Sequence, residues 1–272
     1  MLRIGWFSTA RGDSSKKLLD TVASAIRGGG LDARIEFVFC SRDAGESDKT
    51  DIFLSQVKEY CIPLVTFSVK SFASSMQKQV GVKEEELPVW RLEYDRRVMA
   101  KLEGFKVDVC LLAGYMLIVG REMCNRFNMI NLHPALPSGP KGTWQEVIWQ
   151  LIDERATESG VMIHLVTPQL DRGPVISFCR FPLRGGRFDA LWDALGDLSV
   201  DKIRQAEGEG NELFKMIRHS GFIRETPLII HTLSSFSLGN IRIDGGKTLI
   251  DSCGLPISGY DLTAGIDREI LR

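Results

Sequence analysis

The sequence predicts an α/β fold built on a mainly parallel β-sheet with helices on both faces. Two patterns carry that expectation: short, near-continuous apolar runs such as Leu2–Ser8 and Val107–Ala113, and longer segments between them whose apolar residues recur at helical spacing. A strand buried on both faces loses the polar alternation of a half-exposed strand. Parallel neighbours also need a crossover, usually a helix, to return to the same edge.

Taken in order, Leu2–Ser8 reads as the first strand and Ala10–Ser15 as a polar turn. Lys16–Ile26 reads as a helix with Leu18, Leu19, Val22 and Ile26 on one stripe. Ala33–Cys40 is β-branched and aromatic, and Pro63–Val69 is a further strand expectation. Trp90–Leu102 returns to helical periodicity before the apolar strand Val107–Ala113. Met129–Leu132 is the next strand, followed by the Pro/Gly-rich segment Pro134–Gly142, expected to be a mobile wall. Thr143–Glu154 is helical in pattern, with Trp144, Val147, Ile148 and Leu151 on one face. Val161–Val166 and Pro174–Leu183 are strands, and helices are expected near Phe188–Leu195, Asp201–Ile217 and Ile223–Phe236. The tail from Ile241 holds short strand-like pieces. A catalytic domain over residues 1–240 with a short C-terminal extension over 241–272 is the expected organisation, without internal repeats or low-complexity tracts.

Composition narrows the function. With 272 residues, 44% of them hydrophobic, the chain can bury a sizeable core. Its 34 basic and 35 acidic residues leave a net charge of −1, so no global positive field points to nucleic acid or an anionic membrane. Cys40, Cys61, Cys110, Cys124, Cys179 and Cys253 form no C-x-x-C pair and read as buried thiols in a reducing compartment. No metal-ligand spacing is evident, and no cysteine sits where its thiolate would be favoured as a nucleophile. The apolar stretch after Arg3 ends at Phe7, too short for a secretory signal, and no run is long enough to cross a bilayer. A cytoplasmic protein is expected.

The chemistry concentrates in Ile130-Asn131-Leu132-His133-Pro134 and in Leu170-Asp171-Arg172-Gly173-Pro174, with Asp171 38 residues beyond His133. Residues i and i+2 of a strand project from the same face, so Asn131 and His133 can converge on one small group. A carboxamide donor, an imidazole and a carboxylate are the parts needed to carry an acyl carbon through an anionic tetrahedral intermediate. Each has a bland reading alone: a structural histidine at a strand end, an aspartate that shapes a turn, and, for His164, a buried strand residue. His219 and His231 fall in late helices and need no function.

Three stretches in order, VDVCLLAGYM (Val107–Met116), INLHPALP (Ile130–Pro137) and GVMIHLVTPQLDRGPVI (Gly160–Ile176), resemble the folate-dependent formyltransferase family, and most closely its glycinamide ribonucleotide branch. Arg91-Leu92-Glu93-Tyr94-Asp95, Glu225 and Leu255–Tyr260 extend the likeness through most of the chain. The resemblance implies a Rossmann-like formyltransferase fold, 10-formyltetrahydrofolate as formyl donor, no metal, and a small, phosphorylated primary amine as acceptor. It implies that Asn131 and a protonated His133 stabilise the oxyanion while Asp171 keeps His133 charged and assists proton transfer. Met116, Leu117 and Val119 would line the folate pocket, Leu165, Val166 and Thr167 would present backbone groups to the pterin, and Arg91 would meet the aminobenzoyl-glutamate end. Gly12, Ser14 and Ser15 at a helix N-terminus would bind the acceptor phosphate, and Glu225 its ribose. The first loop reads TARGDSS, placing Asp13 where an anion should be welcome, with Arg11 as a nearby compensating charge, and Leu117 stands where the family usually carries a basic residue. Arg91 and Glu225 also admit the plain reading of solvated helix charges.

Alternatives within the family are a different acceptor, such as a nucleotide-linked amino sugar, and hydrolysis of the donor. Such hydrolases usually carry an N-terminal regulatory domain, which is not expected ahead of a strand beginning at Leu2. Formylation of initiator tRNA is disfavoured because the tail Asp244–Arg272 is neither long nor basic enough for RNA. A binding relic without turnover is disfavoured because all three polar catalytic positions are present.

Overall fold

The computed structural model describes residues 1–76, 87–169, 171–196 and 198–271. Among them are the strands β1 (Leu2–Ser8), β2 (Ala33–Cys40), β3 (Leu64–Thr66), β4 (Val109–Leu112), β5 (Met129–His133), β6 (Glu158–Leu165), β7 (Val175–Pro182), β8 (Ile241–Ile243), β9 (Leu249–Asp251) and β10 (Tyr260–Asp261). The helices are α1 (Asp13–Arg27), α2 (Asp48–Glu59), α3 (Val69–Met76), α4 (Val89–Lys101), α5 (Arg121–Arg126), α6 (Trp144–Asp153), α7 (Arg187–Leu195), α8 (Val200–Ala206), α9 (Glu212–Ser237) and α10 (Thr263–Ile270). The chain forms two compact units.

The first unit takes Met1–Asn131, Leu165–Gly173 and Leu233–Leu255. Here β1 pairs in parallel with β2 and β4, β2 with β3, and β4 with β5. One face of this sheet carries Phe7, Phe37, Phe39, Cys110, Leu112 and Met129, packed with Tyr94, Val98 and Leu102 of the α4 segment and Met123 and Cys124 of α5. Phe7 is the hub, with Phe37, Phe39 and Tyr115 rings at 5.4–5.6 Å between centroids, an aromatic spacing that adds to plain burial. The β8–β9 hairpin is anchored to the same unit by Lys247, whose ammonium donates to the Phe127 carbonyl at 2.9 Å and to Asn128 Oδ1 at 2.6 Å.

The second unit takes Leu132–His164, Pro174–Thr232 and Pro256–Arg272, so the 241–272 tail contributes to both units. β6 pairs antiparallel with β7, and β7 in parallel with β10. Its core gathers Val147, Ile148, Trp149 and Leu151 of α6 with Trp192 of α7, Ile203 of α8 and Phe214 of α9. Thr143 caps α6 in a reciprocal box: Glu146 N–H donates to Thr143 Oγ1, and Thr143 N–H to Glu146 Oε2.

Several expected boundaries move. The Pro63–Val69 strand shortens to Leu64–Thr66, because the Ser68 hydroxyl accepts from Ser71 N–H and begins α3. Helices expected at Asp201–Ile217 and Ile223–Phe236 divide elsewhere. Gly208, at φ +55°, ends α8, whereas α9 runs unbroken through Pro227. A proline inside a helix costs about 3 kcal/mol, but Leu228, Ile229 and Leu233 are all fully buried beside it. Burying three such side chains is worth more, at roughly 1.5–3 kcal/mol each. Cys61 and Cys253 are exposed, correcting the expectation of six buried thiols; Cys40, Cys110, Cys124 and Cys179 are buried. Among the described residues, no helix is long and apolar enough to cross a membrane.

Candidate active site

In the first unit, the carboxyl ends of β1 and β4 hold the segments that the sequence singled out. Ala113 N–H donates to Phe7 O and Thr9 N–H to Gly114 O, so the chain leaving β4 is fastened to the chain leaving β1. The buried Thr9 hydroxyl then accepts from Met116 N–H at 2.9 Å and from Ser41 Oγ at 3.0 Å. Met116 and Ile118 are exposed, Leu117 is half-buried and Val119 buried. Alternation therefore leaves two apolar side chains standing proud of a loop whose backbone is pinned.

Arg91 pins the far end of that loop. Its side chain, only 6% exposed, donates to Asp95 Oδ1 at 2.9 Å and to the Ile118 carbonyl at 2.6 Å, and Asp95 Oδ2 accepts from Gly120 N–H at 2.7 Å. Burial pushes the Asp95 carboxyl upward, against the opposing pull of Arg91 and the Gly120 N–H. Arg91 is thus no solvated helix charge. Its Nη1 and the Tyr115 hydroxyl are buried without a hydrogen-bond partner among the described residues, leaving donor capacity beside the loop.

Gly12 is the N-cap of α1, and Asp13, Ser14 and Ser15 form its first turn, so the helix opens three residues earlier than expected. Ser15 lies against the start of the 114–120 loop: a Cβ at Gly114 would come within 2.9 Å of its hydroxyl. Asp13 is exposed, and Lys49 of α2 pairs with it at 2.9 Å. The charge that seemed hostile to an anion is thereby offset by a residue that sequence spacing alone did not point to.

Asn131 sits on β5 opposite Leu112 of β4. Two residues earlier, the Met129 carbonyl accepts from Val166 N–H at 2.8 Å, which brings the Leu165–Thr167 segment alongside β5. Asp171 adopts φ +49°, and Arg172 N–H donates to Gln169 O. Aspartate tolerates this left-handed conformation better than most residues. Gly173 approaches its neighbour so closely that a Cβ there would lie 1.6 Å from the Leu165 carbonyl oxygen, so a residue with a side chain cannot replace it without moving the backbone. Leu170 of the same motif lies outside the described residues.

In the second unit, His133 ends β5, two residues after Asn131 and on the same strand face. The imidazole is 2% exposed, and its Nε2 lies 2.9 Å from the Pro140 carbonyl. His164 of β6, equally buried, packs its ring edge-on to His133 with centroids 6.3 Å apart. Glu225 of α9 is buried and paired with Arg218; burial raises its carboxyl and Arg218 opposes the shift. It too is no solvated helix charge. Asp95, Lys49, Thr9 and Arg218 were not anticipated in roles; only the i, i+4 spacing of Arg91 and Asp95 offered a signal.

A family model described as formyl transferase matches residues 13–183, more than half of the chain. The chain belongs to the formyl transferase family. It is an enzyme of the formyltransferase class. The phosphoribosylglycinamide formyltransferase of Haemophilus influenzae is 25% identical over 245 residues, covering 89% of this chain and 92% of that protein. The Escherichia coli protein of the same name is 26% identical over 202 residues, or 71% of this chain and 82% of that one. Among solved structures, the phosphoribosylglycinamide formyltransferase of Coxiella burnetii superposes with a TM-score of 0.66 at 19% identity, covering 96% of this chain and 98% of that one. A formyltetrahydrofolate deformylase from Burkholderia mallei reaches 0.60 at 14% identity, over 92% of this chain and 70% of the other. These likenesses identify the Rossmann-like formyltransferase fold, with the parallel β5-β4-β1-β2-β3 arrangement of the first unit at its heart.

Proposed function

We propose that the chain transfers a formyl group from 10-formyltetrahydrofolate to the primary amine of glycinamide ribonucleotide. The observation that carries this reading is the near end-to-end match to a phosphoribosylglycinamide formyltransferase, 89% of this chain against 92% of the relative. In this reading the amine attacks the formyl carbon, and the Asn131 carboxamide and a protonated His133 donate to the developing oxyanion. Asp171 keeps the imidazole charged, since a neighbouring carboxylate favours imidazolium, and through a water it relays the amine proton to the departing folate nitrogen. Met116, Leu117, Val119 and the Leu165–Thr167 backbone receive the folate, with Arg91 toward its aminobenzoyl-glutamate end. Gly12, Ser14 and Ser15 receive the phosphate, where the unsatisfied N–H groups of a helix start favour an anion, and Glu225 the ribose. Residues 1–240 serve as the catalytic domain and 241–272 as its extension.

The test follows folate absorbance on mixing the protein with 10-formyltetrahydrofolate and, separately, glycinamide ribonucleotide, a nucleotide-linked amino sugar, or no amine. Turnover dependent on glycinamide ribonucleotide is the expected outcome. Turnover with only the amino sugar would reassign the acceptor, and formate release without any amine would make the protein a hydrolase.

A further inference from the structure

We propose that Leu136 and Gly160 are positioning residues for His133, acting through the segment between β5 and α6. The inference rests on the assignment of His133 to the oxyanion, and it concerns residues that the assignment does not use.

The segment after His133 was expected to be mobile, yet it is fastened at successive points. Ala135 is fully buried. Gly139 N–H donates to Leu136 O at 2.9 Å, closing a turn in which Ser138 takes φ +66°. The Leu136 side chain occupies the notch left by Gly160 on β6, where a Cβ would lie 2.4 Å from Leu136 Cδ2. At its other end the segment runs into the Thr143–Glu146 capping box. Pro137 and Pro140 further restrict the backbone between these anchors. What the pinned segment presents to His133 is the Pro140 carbonyl, 2.9 Å from Nε2.

A carbonyl oxygen only accepts, so Nε2 must carry the proton in this contact. The bond fixes the plane of the ring and the identity of its protonated nitrogen. Nδ1 is then the nitrogen left to face other partners, and it can donate to an oxyanion only when His133 is imidazolium. The His164 ring on β6 restricts the imidazole from a second side, and the proposed Asp171 supplies the charge that holds the second proton. The notch therefore sets the turn, the turn sets the carbonyl, and the carbonyl sets the imidazole.

The experiment compares Leu136→Ala, Leu136→Met and His133→Ala in steady-state kinetics, and records the ¹⁵N imidazole spectrum of the wild type and the two Leu136 variants. Leu136→Ala should lower kcat roughly ten- to hundredfold, the scale expected when a catalytic group is misplaced by about 1 Å. KM for both substrates should hold, and the His133 Nε2 signal should move away from its protonated, hydrogen-bonded position. Leu136→Met, which refills the notch, should restore both. Gly160→Ala should reproduce the loss, although its Cβ would also lie 2.5 Å from the Cys179 carbonyl and disturb β7, so Leu136→Ala decides. Wild-type kcat and an unchanged Nε2 signal in Leu136→Ala, alongside an inactive His133→Ala, would overturn the positioning role alone. Full turnover in His133→Ala would instead overturn the assignment beneath it.

Discussion

Replacing Arg91 by Met removes a guanidinium while keeping a side chain of similar reach. Arg91 and Asp95 are 6% and 2% exposed and 2.9 Å apart. Deleting one member of a buried pair leaves the other charge uncompensated and costs about 3–5 kcal/mol. Against this, the substitution also removes the partnerless Nη1, a buried donor worth about 1 kcal/mol at the low end of its penalty. The net expectation is a loss of roughly 2–4 kcal/mol, a large share of the 5–15 kcal/mol typical of a folded protein. The sign of the pH dependence follows from Asp95. Its folded-state carboxyl is already raised by burial, and losing Arg91 raises it further. A raised acid adds stability fully below its unfolded pKa, and that stability is lost as pH rises through the folded value. The cost of Arg91→Met should therefore be greatest at neutral pH and shrink towards the acid range, and Arg91→Met/Asp95→Asn should recover part of it. Urea unfolding at several pH values measures all three. A loss below about 1 kcal/mol at neutral pH, or one indifferent to pH and to Asp95→Asn, would refute the reasoning.

Three further outcomes are expected. Asn131→Ala and His133→Ala should each lower kcat about a hundredfold or more, the effect of losing one oxyanion donor, with little change in donor KM; near-normal rates would remove either residue from the chemistry. Lys49→Ala removes the ion-pair partner of Asp13 at the start of α1, so KM for a phosphorylated acceptor should rise at low ionic strength and the difference fade with added salt, while donor KM holds. Thr9→Val deprives Met116 N–H and Ser41 Oγ of their buried acceptor, so stability should fall by about 1–3 kcal/mol and donor KM should rise; a rise in acceptor KM alone would place the donor elsewhere.

What was legible in the sequence depended on how locally each feature is determined. β1, β2 and α6 were readable because each buries its own apolar residues, and the Asn131/His133 pair because a period of two puts both on one strand face. The partition of residues 201–237 was not readable. The break expected between Ile217 and Ile223 is bridged by α9, whose Gly221 lies against Val161 of β6 and Phe181 of β7, and that contact is tertiary. The burial of Arg91 and Glu225 was hidden in the same way: only the folded chain supplies the Asp95 and Arg218 partners that allow it. The Leu136–Gly160 notch joins two elements far apart in sequence, and nothing in either residue's neighbourhood announces it.

The residues so hidden share a function in the fold. Thr9, Asp95 and Arg91 each satisfy a backbone group of the 114–120 loop, and Gly160 seats the turn that presents Pro140 to His133. Loops carry many binding groups because they are free of the strand ladder's geometry, but a loop left free would hold no group to the tolerance that binding and catalysis need. The Thr9, Arg91 and Asp95 side chains supply that tolerance by bonding loop backbone directly, and Gly160 of β6 supplies it by leaving room for Leu136. Under the proposed function, variation at Met116 or Ile118, whose side chains are exposed, should therefore alter donor affinity while leaving the loop in place, whereas change at Thr9, Arg91 or Gly160 should degrade binding or turnover whatever the ligand.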